Sequence, residues 1–179
     1  MKQLKVCLLA AMVASSTVSV MAEDYALTQR YSLIYDMKVA QKQQSLVIQM
    51  QELLNQRYFD VEALNRLQTQ FDRQLHGLME GDDSLRLNGT QISLLRTKLK
   101  EIRTVWEESQ QTMQQASESR DQNYEAQQAL NRLLSSVNRA VMAYDKSYQR
   151  YKQRSRLSAI VNRYQNHGKT DRLAFNTIH

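Results

Sequence analysis

Residues 92–113 read ISLLRTKLKEIRTVWEESQQTM. Ile92, Leu95, Leu99, Ile102, Trp106 and Met113 recur at alternating steps of three and four, and Ser109 takes the polar place between the last two. Such steps set apolar side chains along one stripe of an α-helix, the a/d seam of a helix that packs on others. Thr90 stands as its N-cap, after the turn-forming pair Asn88-Gly89.

Working outward, a second seam precedes it: Val61, Leu64, Leu67, Phe71, Leu75 and Leu78, with Asp60 as N-cap and Gly81 as stop. A third follows: Ala126, Leu130, Leu133, Val137, Ala140, Tyr144, Tyr148 and Tyr151. The reading extends that seam through Leu157, Val161 and Tyr164 to a stop at Gly168. A fourth helix is predicted over residues 25–55, with apolar positions Leu27, Tyr31, Ile34, Met37 and Ala40, then Val47, Ile48, Met50, Leu53 and Leu54. Short connections between four such helices predict an all-α, up-and-down four-helix bundle with long first and last helices. The first and last helices then lie antiparallel. Tyr25, Arg30, Tyr31 and Tyr35 fall near Tyr144, Tyr148, Tyr151 and Tyr164, beside a basic run that includes Lys146, Arg150, Lys152, Arg154 and Arg156.

Composition agrees. The chain of 179 residues has four Gly, no Pro and one Cys, with 42% hydrophobic and 23% charged residues. That argues against a turn-rich β fold and against a Cys-based zinc site. Lys2 and Lys5 precede an uncharged, mostly apolar or small run from Val6 to Val20. Val20-Met21-Ala22 then supplies a cleavage site. Residues 1–22 therefore read as a secretory signal peptide, too short to span a bilayer, which removes Cys7. The expected domain is 23–168 with a tail at 169–179, placed in the periplasm or secreted. Of 24 Lys and Arg, Lys2 and Lys5 leave with the leader; against 18 Asp and Glu the remainder carries +4.

The residues offer no catalytic constellation. His76, His167 and His179 are scattered, and Asp82-Asp83 lacks the spacing of a calcium loop. No Gly-rich phosphate cradle or nucleophile elbow occurs. Neither a metal nor a cofactor is expected, and nothing in the sequence calls for nucleic acid. Asn88-Gly89-Thr90 matches a glycosylation acceptor and is read as a turn plus cap. The feature that stands out is Gln41-Lys42-Gln43-Gln44-Ser45, five polar residues inside the first helix. Turned inward, they make a costly polar layer; turned outward, they are a solvated run of good helix formers.

The segment from Ala40 to Met50 resembles a signature of the first helix of the type IV pili methyl-accepting chemotaxis transducer N-terminal domain, the PilJ type. Ala40, Gln43, Leu46 and Met50 match, and Lys42 stands where the family carries Arg. Phe71, Leu75 and Leu78 before Gly81-Asp82 look like its second helix, and Leu99, Ile102 and Trp106 like its third. The resemblance implies a periplasmic four-helix sensor domain, similar to the input domain of nitrate/nitrite sensors. There an Arg of the first-helix motif binds the anion across a dimer axis, and the matching position here is Gln44.

The expectation is a free-standing, non-catalytic sensor-like domain that binds a small anion or polar ligand, or a membrane receptor or pilus/chemotaxis component. A homodimer is plausible. The ligand-binding candidates are Lys42, Gln43 and Gln44, then Arg30 and Tyr144. The competing expectation is a periplasmic helical adaptor or holdase-like protein with a basic face.

Overall fold

The computed structural model describes residues 30–56 and 60–175, with side chains described for these except 120 and 162–175. The signal peptide, Tyr25 and the last four residues lie outside the described residues, as does the side chain of Tyr164. Four α-helices follow one another: α1 over 30–55, α2 over Val61–Glu80, α3 over Ser93–Glu118 and α4 over Asn123–Phe175. The fold is an all-α helical bundle.

The α2 boundaries follow the sequence signals. Asp60 accepts a hydrogen bond from the Ala63 amide at 3.0 Å, and Gly81 ends the helix at φ 103°. The start of α3 differs from expectation. Its N-cap is Ile92, with no side-chain cap, while Thr90 is buried one turn earlier. There the Thr90 amide donates to Leu78 O at 3.1 Å, and its hydroxyl accepts from the Ile92 amide at 3.3 Å. Thr90 therefore ties the connection to the end of α2 instead of capping α3.

That connection is a small hairpin. Asp82 and Leu87 form an antiparallel bridge around a 3₁₀ turn, Asp83–Leu85. The Asp82 carboxylate accepts from the Ser84 and Leu85 amides at 2.9 and 3.1 Å, and from Arg73 Nε at 3.1 Å. Hydrogen bonding by Ser84, then by Arg73, holds this carboxyl down at about 2. Gly89 sits at φ 69°, and a Cβ there would lie 2.8 Å from Glu80 C and 2.9 Å from Gly81 N. Only glycine lets the chain cross the end of α2 this closely.

The core forms one cluster drawn from all four helices. Phe71 and Trp106 stack with centroids 4.4 Å apart, and Trp106 Nε1 donates to Asp72 at 3.2 Å. Ser109, the polar gap in the α3 seam, is fully buried and donates to Val105 O at 2.7 Å and Ala129 O at 3.3 Å. Its small side chain brings α3 against the α4 backbone while both of its contacts stay satisfied.

Side chains running between α1 and α4 fix their antiparallel register. Arg30 reaches Tyr148, Gln44 donates to Asn138 at 2.6 Å, Gln51 to Asn131 at 2.8 Å, and Gln127 to Asn55 at 3.1 Å. Asn123 donates to Leu54 O at 3.2 Å, satisfying one of the carbonyls left open at the end of α1.

The buried stripe of α1 is Leu33, Asp36, Ala40, Gln43, Val47, Met50 and Leu54, an unbroken three-four seam with two polar members. Only Gln43 of the 41–45 run lies on it, so the run does not interrupt the helix packing.

Three seams are shorter than expected. Val61 and Ile92 are exposed, so the α2 and α3 stripes begin at Leu64 and Leu95. In α4 the buried stripe runs from Ala126 to Tyr144, with Tyr148 partly buried. Leu157 and Val161 do not continue it; they are 63% and 51% exposed. Continued from Tyr148 and Tyr151, the three-four line passes through Ser155, Ser158 and Asn162, and Leu157 and Val161 each stand one position short of it. The helix passes through Gly168 to Phe175, because a glycine weakens a helix without obliging it to stop. Among the described residues, no helix is long and apolar enough to cross a membrane.

Candidate functional site

The residues singled out in the sequence do not converge. Lys42 is exposed on the outer face of α1. Gln43 points the opposite way and is fully buried; its amide nitrogen makes a long 3.4 Å bond to Phe71 O, and its oxygen has no partner. Gln44 lies between these directions and bonds sideways to Asn138. Successive helical residues are about 100° apart, so three in a row cannot share one face.

Arg30 and Tyr144 lie toward one end of the bundle. The Arg30 guanidinium donates to the Tyr148 hydroxyl at 3.3 Å and lies 6.0 Å from that ring's centre. The Tyr148 bond holds this guanidinium above its ordinary value. Tyr144 is fully buried and its hydroxyl has no partner. Burial, and then the charge of Asp36, push the phenol well above its usual range.

Beside them a cleft of about 600 Å³ opens at the end of the bundle. Three elements meet there. Ser32, Leu33 and Asp36 come from the first described turns of α1, residues 88–94 from the hairpin and the start of α3, and Ser147, Arg150, Tyr151 and Arg154 from α4. The volume falls within the range of about 300–1,000 Å³ typical of small-molecule sites. Here α4 runs on past the hairpin and forms one wall of the cleft.

Asp36 is the unusual member. It is 4% exposed, occupies a seam position, and its Oδ1 has no hydrogen-bond partner. Burial raises its carboxyl to about 6. A buried carboxylate without a donor is costly, and clefts are where such groups recur. Across the same cleft Arg150 and Arg154 are exposed and basic. Neither makes an ion pair with Asp36. One cavity thus carries both signs of charge without neutralising them internally.

Asp36, Arg154 and the Asn88-Gly89-Thr90 segment were not read as site residues from sequence, although the basic run did contain Arg150 and Arg154. The overlooked signal was the seam phase: Leu33, Asp36, Ala40, Gln43 and Val47 step by three and four, which puts a carboxylate where an apolar residue belongs. Among the described residues, no cluster of three or more His, Cys, Asp or Glu could hold a metal ion.

No family model matches the chain, and neither the curated proteins nor the solved structures give a match.

Proposed function

We propose that this protein is an exported, non-catalytic sensor-like domain that binds a small polar ligand in the cleft at the end of its bundle. The observation that carries this reading is Asp36, a nearly buried carboxylate with an unsatisfied oxygen, which lines a cleft together with Arg150, Arg154, Tyr151, several hydroxyl and amide side chains and the apolar Leu33, Ile92 and Leu94. A core position holding such a group weakens the fold, and a ligand that completes its hydrogen bonding repays that cost. The leader-like residues 1–22 support a periplasmic location, and the resemblance of residues 40–50 to PilJ-type input domains supports a sensing role in a chemotaxis or pilus pathway. Arg30, bonded to Tyr148, and Tyr144, which feels the charge of Asp36, lie toward the same end without lining the cleft; Lys42, Gln43 and Gln44 stand further along α1.

The test is a thermal-stability titration of the purified protein against anions, amino acids, sugars and other metabolites. A ligand at a hundred times its dissociation constant stabilises by about 2.7 kcal/mol. The proposal expects at least one such response, and silence across the panel removes it.

The adaptor reading keeps one specific observation in its favour. Leu157, Ile160 and Val161 are exposed together on α4, close to Arg154 and Arg156. A basic, partly apolar helix suits an acidic partner surface. Capture of a partner that weakens with salt, with no small-molecule response, would favour it.

A further inference from the structure

We propose that the end cleft selects a small zwitterion of amino-acid type, its ammonium held by Asp36 and its carboxylate by Arg150 and Arg154. This rests on the reading of the domain as a small-ligand binder and adds the chemical class.

The argument is one of charge placement. A simple anion such as nitrate gains from the two guanidiniums but meets the Asp36 carboxylate inside the same cavity. A simple cation gains from Asp36 but meets Arg150 and Arg154. Only a molecule carrying both signs gains at both walls. The depths are matched too. Asp36 is buried, and a buried carboxylate gains most from an ammonium that is desolvated beside it. The guanidiniums are exposed at the rim, where their forked donors match a planar carboxylate. The opposite charges make no ion pair with each other, and all three side chains line the same cleft. Ser32 and Thr90 add hydroxyls around it, Ser147 adds an oxygen whose proton goes to Ala143 O, Tyr151 adds a ring, and Leu33, Ile92 and Leu94 add apolar surface. The volume leaves room for a side chain beyond the two charged groups.

The cleft also gives binding a pH dependence. The hairpin side, residues 88–94, contributes no titratable side chain. From α4 come Arg150, Arg154 and Tyr151, with the Tyr144 hydroxyl buried nearby; from α1 comes Asp36. Burial raises the Asp36 carboxyl to about 6. An ammonium requires its ionised form, so affinity falls toward tenfold per pH unit once the pH drops below about 6.

The experiment measures binding to the purified protein by calorimetry and thermal shift. The probes are the twenty amino acids, the carboxylic acids and amines that correspond to each hit, and nitrate, phosphate and neutral sugars. The expected result is that at least one amino acid binds while its deaminated and decarboxylated counterparts bind at least tenfold more weakly. Asp36→Asn and the double substitution Arg150→Gln/Arg154→Gln should each cost at least tenfold in affinity. Asp36→Asn removes a buried charge and should not lower the thermal midpoint, so a loss of affinity with the midpoint retained reports on binding. Equal binding of an amino acid and its deaminated acid, or unchanged binding by Asp36→Asn, overturns the proposal. Binding of a simple anion or a sugar instead overturns it while leaving the small-ligand reading intact. If no compound binds, both fail.

Discussion

Two stretches of one helix behave in opposite ways. From Ala126 to Tyr144, α4 carries Ala126, Leu130, Leu133, Val137, Ala140 and Tyr144 in three-four steps, and all of these seam residues are buried. From Gln153 to Val161 the helix continues with equally good helix formers, yet each described residue is exposed. The difference is phase. Ser155 and Ser158 stand on the bundle-facing line, and Leu157, Ile160 and Val161 have moved round the helix. Helical backbone needs no partner to continue, but a buried seam does, and among the described residues burial stops where the apolar residues change face. The cleft lies at that boundary.

The largest effects should separate the two stretches by their packing. Trp106→Ala empties the centre of the bundle and should cost about 3–5 kcal/mol in urea denaturation. Leu157→Ala removes an exposed residue and should change stability by less than about 0.5 kcal/mol. A loss of 2 kcal/mol or more at Leu157 would mean that the outer stretch is covered, and the contrast would vanish.

Asp36 should come next. A carboxyl that titrates near 6 when folded and near 4 when unfolded takes up its proton more readily in the folded state. Stability is therefore greatest below pH 4 for this group and is lost as pH rises through 6, by about 3 kcal/mol in all. Asp36→Asn should abolish this decline and raise the denaturation midpoint at pH 8 relative to the unsubstituted protein. A decline that survives in Asp36→Asn would assign it to another group. Asp82 works in the reverse direction. Its carboxyl is held at about 2, so its contribution to the hairpin is present at neutral pH and disappears as pH falls from about 4 through 2.

Gly89→Ala tests the hairpin that forms one wall of the cleft. A Cβ at φ 69° would press on backbone atoms of Glu80 and Gly81, so a loss of more than about 1 kcal/mol is expected, visible as a lower thermal midpoint. An unchanged midpoint would show that the segment can move away from α2.

The smallest effect has the opposite sign. Gln43 is wholly buried with one long hydrogen bond and an oxygen that has none. Gln43→Met keeps its volume and removes the unsatisfied group, and should raise stability by about 1 kcal/mol. Destabilisation instead would show that the amide meets a partner in solution.

Much of the fold was legible because three-four stepping survives in single sequences. The α2 and α3 seams, the Asp60 cap and the Gly81 stop could be read residue by residue. The α1 seam was harder. Its true phase includes Asp36 and Gln43, and a reading that follows only apolar residues drifts to Tyr31, Ile34 and Met37 instead. The same preference carried the α4 seam on to Leu157 and Val161, although Ser155 and Ser158 hold the phase. Both errors come from weighting residue type above spacing. The candidate site suffered for a different reason. It joins residues 32–36, 88–94 and 147–154, and only the packing of three elements at one end of the bundle brings these together. The 41–45 run drew attention by composition, but consecutive helical residues diverge, so its members could not form a joint site.

The account places the chemistry at the end of the bundle and not at the middle of α1, and amide chemical-shift mapping tests that placement most directly. An isotope-labelled sample titrated with an equimolar mixture of the twenty amino acids should show displaced resonances at residues 32–36, 88–94 and 147–154, with 41–45 silent. Displacements centred on Lys42, Gln43 and Gln44, or none anywhere, would contradict it.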